Sequence, residues 1–359
     1  MKKHRFAYFL PSFLFSSSLF LITAIGAQES LWSVDLSSSL VEVGWIEQTN
    51  DGLIIAAGSK GTMAIDNNSG KQVWLNEELK SLTKPSFQNI EGLPLFFAEY
   101  APLAGKARAV IVNSSTGEIL YNTNDNNYRI KTYQIIPDQQ IILFELTEGN
   151  SRLLMNFSLK NMKEQWIANL GEIKGLIGKM ENATGRESFI DHGPVFTKEN
   201  KILAAVGAKI YCINKETGTL EWDYEADKKL TAMVYSPQNN SIYLGVRKSK
   251  KLTVLDPAKG EDITPGKLKL KGSLVDIVGD DENIVLVETE GFNLIDPQTN
   301  DFIWKKSFKI DYLDEVMPFD KGYIAIGKDS KDGSIAYVST DGEKIWDTKV
   351  KGYTYYAST

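Results

Sequence analysis

Asp191-His192 is the one place in this chain where an imidazole sits beside a carboxylate. A histidine next to an acid can serve as a general base or as a metal ligand. Little else could join it. His4 and His192 are the only histidines, and Cys212 is the only cysteine. One thiol can form neither an intrachain disulfide nor a thiolate metal cluster. His4 lies in the N-terminal leader, so any Ser-His-Asp arrangement must run through His192. A hydrogen-bonded histidine at the start of a strand accounts for the pair more simply. Asp191 and His192 therefore stand as a weak candidate surface site, and no residue is assigned a catalytic, cofactor-binding or metal-binding role.

Three polar runs invite the same question. Asp280-Asp281-Glu282-Asn283 and Asn124-Asp125-Asn126-Asn127 carry oxygen ligands suited to calcium. Both fall between strand-like runs, where such residues belong in any case, and neither has EF-hand spacing. Lys248-Ser249-Lys250-Lys251 reads as a solvated hairpin tip rather than an anion site. The whole chain has 40 Lys+Arg against 46 Asp+Glu, a net charge of -6. Without Lys2, Lys3 and Arg5 of the leader the balance is about -9. An acidic body argues against a nucleic-acid groove, which needs a basic track along the phosphates.

The elements that must position these residues are repeated. In Ala64-Ile65-Asp66-Asn67-Asn68-Ser69-Gly70-Lys71-Gln72-Val73-Trp74 an apolar strand ends in Asp66, a Ser-Gly turn follows, and an aromatic comes four residues after the glycine. Asn113, Thr116, Gly117 and Tyr121 repeat the pattern, as do Asn214, Thr217, Gly218 and Trp222. Asp296, Thr299, Asn300 and Trp304 form another copy, and Ser339, Asp341, Gly342 and Trp346 a copy with a shorter turn. Asp256, Gly260 and Thr264 mark a decayed copy; Ser158, Asn161 and Met162 lead to Trp166 in the weakest. The aromatic slots are separated by 47, 45, 56, 42, 40 and 42 residues. A period of about 40–50 residues holds four short strands and their turns, the size of a propeller blade.

Strand-like runs fill the period. Leu40 to Gln48, Leu53 to Ala57, Thr62 to Asp66 and Gln72 to Leu75 make the first unit. Ile202 to Val206 and Lys209 to Ile213 repeat its middle pair, as do Asn283 to Glu288 with Phe292 to Asp296. So do Tyr323 to Gly327 with Ile335 to Val338, joined through Lys331-Asp332-Gly333. No run has the length and period of a secure amphipathic helix. The turn glycine reverses the chain, Asp or Asn caps it, and the aromatic fills a wedge between neighbouring units. The expected fold is all-β: a β-propeller of seven recognisable four-stranded blades. Leu31 to Asp35 and Tyr353 to Ala357 could add an incomplete eighth.

The recurring pattern resembles the PQQ-like β-propeller repeat, Ala-x-Asp-x-x-Thr/Ser-Gly-x-x-x-Trp, which Ala64 to Trp74 matches in full. Trp222-Asp223 and Trp346-Asp347 also suit WD40 repeats, but those want a Gly-His pair. The resemblance implies two kinds of protein. One is a quinoprotein dehydrogenase with PQQ and calcium, for which this chain is short and lacks the vicinal cysteines. The other is a non-catalytic propeller similar to the subunit of the outer-membrane barrel-assembly machinery, which presents surfaces to partners.

Residues 1–27 read as an export signal, with an uncleaved membrane anchor as the alternative: Lys2, Lys3, His4 and Arg5, then an apolar run, then the small residues Ala24-Ile25-Gly26. Residues 28–359 are expected to form one propeller domain with no membrane span, periplasmic or secreted. The expected function is a scaffold for a protein, peptide or glycan partner in the cell envelope, without cofactor. A PQQ-dependent enzyme, or a fragment of one, is the alternative. The step from Trp166 to Trp222 carries an insertion near Gly171 to Ser188, and insertions in repeat proteins favour a binding face.

Overall fold

The computed structural model describes residues 32–100, 108–126, 128–174, 187–279, 282–310, 312–328 and 332–351. The leader 1–27, Leu31, Asn127, residues 175–186 of the insertion, Asp280-Asp281, Lys331 and the tail 353–357 lie outside them.

Strand formation follows from continuous apolar runs bounded by turn residues. Leu53–Gly58, Lys201–Val206 and Ile284–Glu288 are buried on both faces, which is why they read as LIIAAG, KILAAV and IVLVE and not as alternating strands. Outer strands alternate instead. In Lys163–Glu172, Trp166, Ala168 and Leu170 are buried while Gln165, Ile167 and Asn169 between them are exposed.

Seven antiparallel sheets follow one another along the chain, and within each the strands neighbour in sequence order. The first holds Val43–Gln48, Leu53–Gly58, Thr62–Asp66 and Gln72–Asn76. The second holds Gln88–Ile90, Leu95–Tyr100, Arg108–Asn113 and Ile119–Asn122. Arg129–Ile136, Ile141–Glu148, Ser151–Ser158 and Lys163–Glu172 make the third. His192–Phe196, Lys201–Val206, Lys209–Asn214 and Leu220–Glu225 make the fourth. The seventh runs Leu313–Phe319, Gly322–Lys328, Asp332–Ser339 and Lys344–Lys351.

Two sheets depart from four full strands. The fifth has Ala232–Ser236, Ser241–Gly245 and Leu252–Leu255 only. Its fourth strand has shrunk to a bridge between Leu255 and Asp262, with Thr264 Oγ1 accepting the Val254 N–H at 2.8 Å. In the sixth (Leu274–Gly279, Ile284–Glu288, Gly291–Asp296) the outer strand is split into Asp301–Phe302 and Phe308–Lys309, on either side of Trp304. Two sequence expectations shift locally. Leu40 closes a short helix, Ser37–Leu40, so the first strand begins at Val43. Asp332 and Gly333 belong to a strand instead of a turn.

The described residues fall into two compact units, one of 32–100 with 110–120, the other of 108–109 with 121–351. In the smaller unit, Trp45, Ile55, Trp74, Phe96, Val110 and Val112 share one core between the first and second sheets. Leu40, Ala56, Met63 and Ile65 on the first sheet's other face are covered by Trp32 and Leu36. In the larger unit each sheet from the third to the seventh shares a core with the next.

Candidate functional site

The recurring turn is built by its own side chain. Asp66 Oδ1 accepts the Ser69 N–H at 2.7 Å, and Gly70 N–H returns to the Asp66 carbonyl at 2.9 Å. The Ser69 hydrogen bonds hold the Asp66 carboxyl below its ordinary range. Asn113 and Asn214 likewise accept the N–H three residues on, Asp256 and Asp296 accept the N–H two residues on, and Gly117, Gly218, Gly260 and Asn300 close the turns.

The glycines answer to a second constraint. Trp32 lies over Gly70, Trp74 over Gly117, Trp166 over Gly218, Trp222 over Gly260 and Trp304 over Gly342. A Cβ at any of these glycines would come within 2.5–2.7 Å of the indole, and each has a positive φ of 67–83°. Each indole N–H also donates to a turn carbonyl: Trp32 to Asn67, Trp74 to Ser114, Trp166 to Lys215, Trp222 to Pro257 and Trp304 to Thr340, at 2.7–3.0 Å. One turn thus receives a ring on its glycine and a donor on its carbonyl.

The exceptions obey the same rule. Tyr121 replaces the indole before the third sheet, and the turn it precedes has Met162, φ 51°, where the others have glycine. Tyr121 packs at a tilt against Phe157, ring centroids 4.2 Å apart, and donates to Glu164 at 2.9 Å; burial and that carboxylate drive its phenol pKa upward. Thr264 replaces the indole before the sixth turn, which has Asn300, φ 50°. The turn carbonyl there, on Pro297, is taken by Asn239 Nδ2 at 2.7 Å. Asn239 supplies the donor that the missing indole would have provided. Trp346 holds the aromatic position on the last strand and is 46% exposed, whereas Trp74, Trp166 and Trp304 are 6–8% exposed.

The Asp191-His192 pair is divided by the fold. Asp191 accepts the Gly207 N–H at 2.7 Å and pairs with Lys229 at 2.6 Å, bracing the hairpin at Gly207. His192 opens the strand His192–Phe196 opposite Ala205, just before the Gly193-Pro194 cis bond. Burial raises the pKa of Asp276, on the sixth sheet, against the pull of the Ile277 N–H, His192 and Arg247. Cys212 is buried, and burial pushes its thiol up to about 12. Among the described residues no group of three His, Cys, Asp or Glu could hold a metal ion.

Sequence reasoning passed over Glu145, an acid inside the buried strand Ile141–Glu148. Its signal was a charge interrupting an apolar run. Glu145 accepts the Ser188 hydroxyl at 2.8 Å and the N–H groups of Phe189 and Ile190, clamping the chain where the insertion rejoins the fourth sheet. Burial raises its pKa above the ordinary 4.5 despite those donors. A carboxyl raised in the folded state favours folding at low pH, and that contribution is lost as pH rises above 4.5 through the folded value. The stability of the native chain relative to Glu145→Gln, which cannot titrate, should therefore decline from about pH 4 to pH 7 in urea unfolding. A difference that is flat, or that grows with pH, refutes the assignment.

Consecutive antiparallel sheets, most of them followed by an indole docked on the next turn, define a β-propeller of seven sheets. No known protein family matches the chain, and no curated protein matches it. Among solved structures it is similar to a eukaryotic initiation factor, at 12% identity and TM-score 0.49 over 87% of this chain and 78% of that one. It is similar to dihydro-heme d1 dehydrogenase NirN in complex with DHE, at 11% identity and TM-score 0.48 over 86% and 66%. It is also similar to BamB from Moraxella catarrhalis, at 14% identity and TM-score 0.38 over 86% and 84%. The fold class rests on the sheet order and the repeated turn.

Proposed function

We propose that the chain is an exported, PQQ-like β-propeller without a catalytic centre, acting in the cell envelope as a scaffold for a protein partner. The full match of Ala64 to Trp74 to the repeat supports the PQQ-like branch, and the basic-then-apolar leader supports export. No helix among the described residues is long and apolar enough to cross a membrane. The recurrent aromatic and glycine residues are occupied with each other, which leaves them to packing instead of chemistry.

The observation that carries the scaffold reading is Trp346. It and Ile345, 57% exposed, lie on Lys344–Lys351, a strand that among the described residues pairs on one side only. An exposed indole on an open strand edge is the type of anchor that dominates protein interfaces and accepts an added strand. Lys344, Lys349 and Lys351 against the single Asp347 repel a second copy of the same edge and favour an acidic extended segment. The test replaces Trp346 with a photo-crosslinking residue in cells, with Gln72 on the first sheet's outer strand as control. The expected result is a discrete adduct from position 346 in the envelope fraction and none from 72. No adduct, or the same pattern at both positions, refutes the reading.

A further inference from the structure

A cavity of about 320 Å³ lies in the larger unit between the fourth and fifth sheets, at the end of Leu220–Glu225. Leu230, Leu244, Val246 and Tyr224 supply its apolar lining. Its rim is cationic. Lys228, Arg247, Lys248 and Lys251 all line it, against one carboxylate, Asp227. In a chain of net charge -6 this is a local reversal of sign.

The fold fixes the backbone that carries Arg247 and Lys248. Lys248 and Lys251 belong to the hairpin tip that the sequence suggested is merely solvated. That tip is fastened where it leaves Val246: Arg247 N–H donates to Thr231 Oγ1 at 2.6 Å, and Lys248 N–H donates to the Leu274 carbonyl at 2.9 Å. Leu274 N–H returns to Ser249 at 2.8 Å. Lys248 takes a left-handed φ of 64° at the turn. The bridge that replaces the fifth sheet's fourth strand reaches Leu255 and Val254 but not Thr253, which lines the cavity.

The charges are also under-used. Arg247 and Lys251 approach Asp314 and Asp262 only at 3.7 and 3.9 Å, longer than a hydrogen bond, and both pairs are solvent-exposed. Among the described residues neither Lys228 nor Lys248 has a carboxylate within ion-pair distance. A cavity of this size that combines apolar side chains with convergent polar groups is the usual form of a small-molecule site.

We propose that this cavity binds a small amphipathic anion, its apolar body against Leu230, Leu244 and Tyr224 and its phosphate or carboxylate head among Lys228, Arg247, Lys248 and Lys251. The site is independent of the Trp346 edge, so either can fail without the other.

Titration of the full chain with hexyl phosphate, hexanoate, hexanol and inorganic phosphate, followed by calorimetry and by the Tyr224 ring resonances, tests it. Saturable binding of at least one hexyl anion is expected, with hexanol and inorganic phosphate about tenfold weaker or worse. The two anion arms separate a phosphate ligand from a carboxylate one. The double variant Lys228→Gln/Lys248→Gln should bind about tenfold more weakly while keeping its thermal midpoint, because both side chains sit at the surface. Equal binding of hexanol, unchanged binding by the double variant, or no binding in any arm overturns the proposal.

Discussion

Trp74→Ala should lower the unfolding free energy by about 3–5 kcal/mol, the usual cost of truncating a buried indole. Trp74 is 8% exposed and sits in the core shared with Trp45, Phe96 and Val112. Its loss removes that contact area and leaves a cavity that the flanking strands cannot fill. It also leaves the Ser114 carbonyl without its indole donor, on a residue only 1% exposed. An orphaned buried acceptor adds its own penalty. Trp346→Ala is the internal control. That ring occupies the same place in the repeat but is 46% exposed, so its truncation should change stability by no more than about 0.5 kcal/mol. Urea unfolding of the two variants measures both values. Equal losses would mean that the aromatic slot, and not the turn that covers it, sets the energy.

How much of this was legible beforehand can be judged from particular residues. The strands Thr62–Asp66 and Lys209–Asn214 and the turns after them were readable because a four-residue punctuation, acid or amide to glycine, recurs at a period the eye can find. The partner of each indole was not readable. Trp74 meets Gly117, about one repeat further on, and nothing local in the sequence ties the two together. The same distance hid the meaning of the irregular copies. Met162 and Asn300 look like decay of the motif until the residue one repeat earlier is seen to be Tyr121 or Thr264. Asn239 replacing an indole N–H at Pro297, from 58 positions away, has no sequence signature at all. At the candidate pair, adjacency in sequence misled. Asp191 and His192 alternate across a strand start, so Asp191 turns to Gly207 and Lys229 while His192 opens the strand opposite Ala205. The cationic cavity could not be anticipated because Lys228 is joined to Lys248 and Lys251 only by the packing of two sheets.

If the ring over the turn is what demands glycine, Gly117→Ala should cost about 2–5 kcal/mol, and most of that should vanish when the ring is removed. Two effects add in the native background. An alanine at φ 73° carries the left-handed penalty of about 1–2 kcal/mol. Its Cβ would also fall 2.5 Å from the Trp74 ring, which must move within a packed core at about 1–3 kcal/mol. In a Trp74→Leu background the second term disappears, since a leucine carries no ring over the turn, and Gly117→Ala should then cost only the backbone term of about 1–2 kcal/mol. The double-mutant cycle should therefore return a coupling of about 1–3 kcal/mol, the range expected for residues in direct contact. Met162→Gly supplies the converse. There the preceding aromatic is Tyr121, the turn already tolerates a side chain at φ 51°, and introducing glycine should shift stability by no more than about 1 kcal/mol. A cycle with no coupling would show that Gly117 answers only to its own φ. The pairing of indole with glycine along the chain would then be a coincidence of turn chemistry, and the physical reason why tyrosine and threonine copies abandon glycine would have to be sought in the turns themselves.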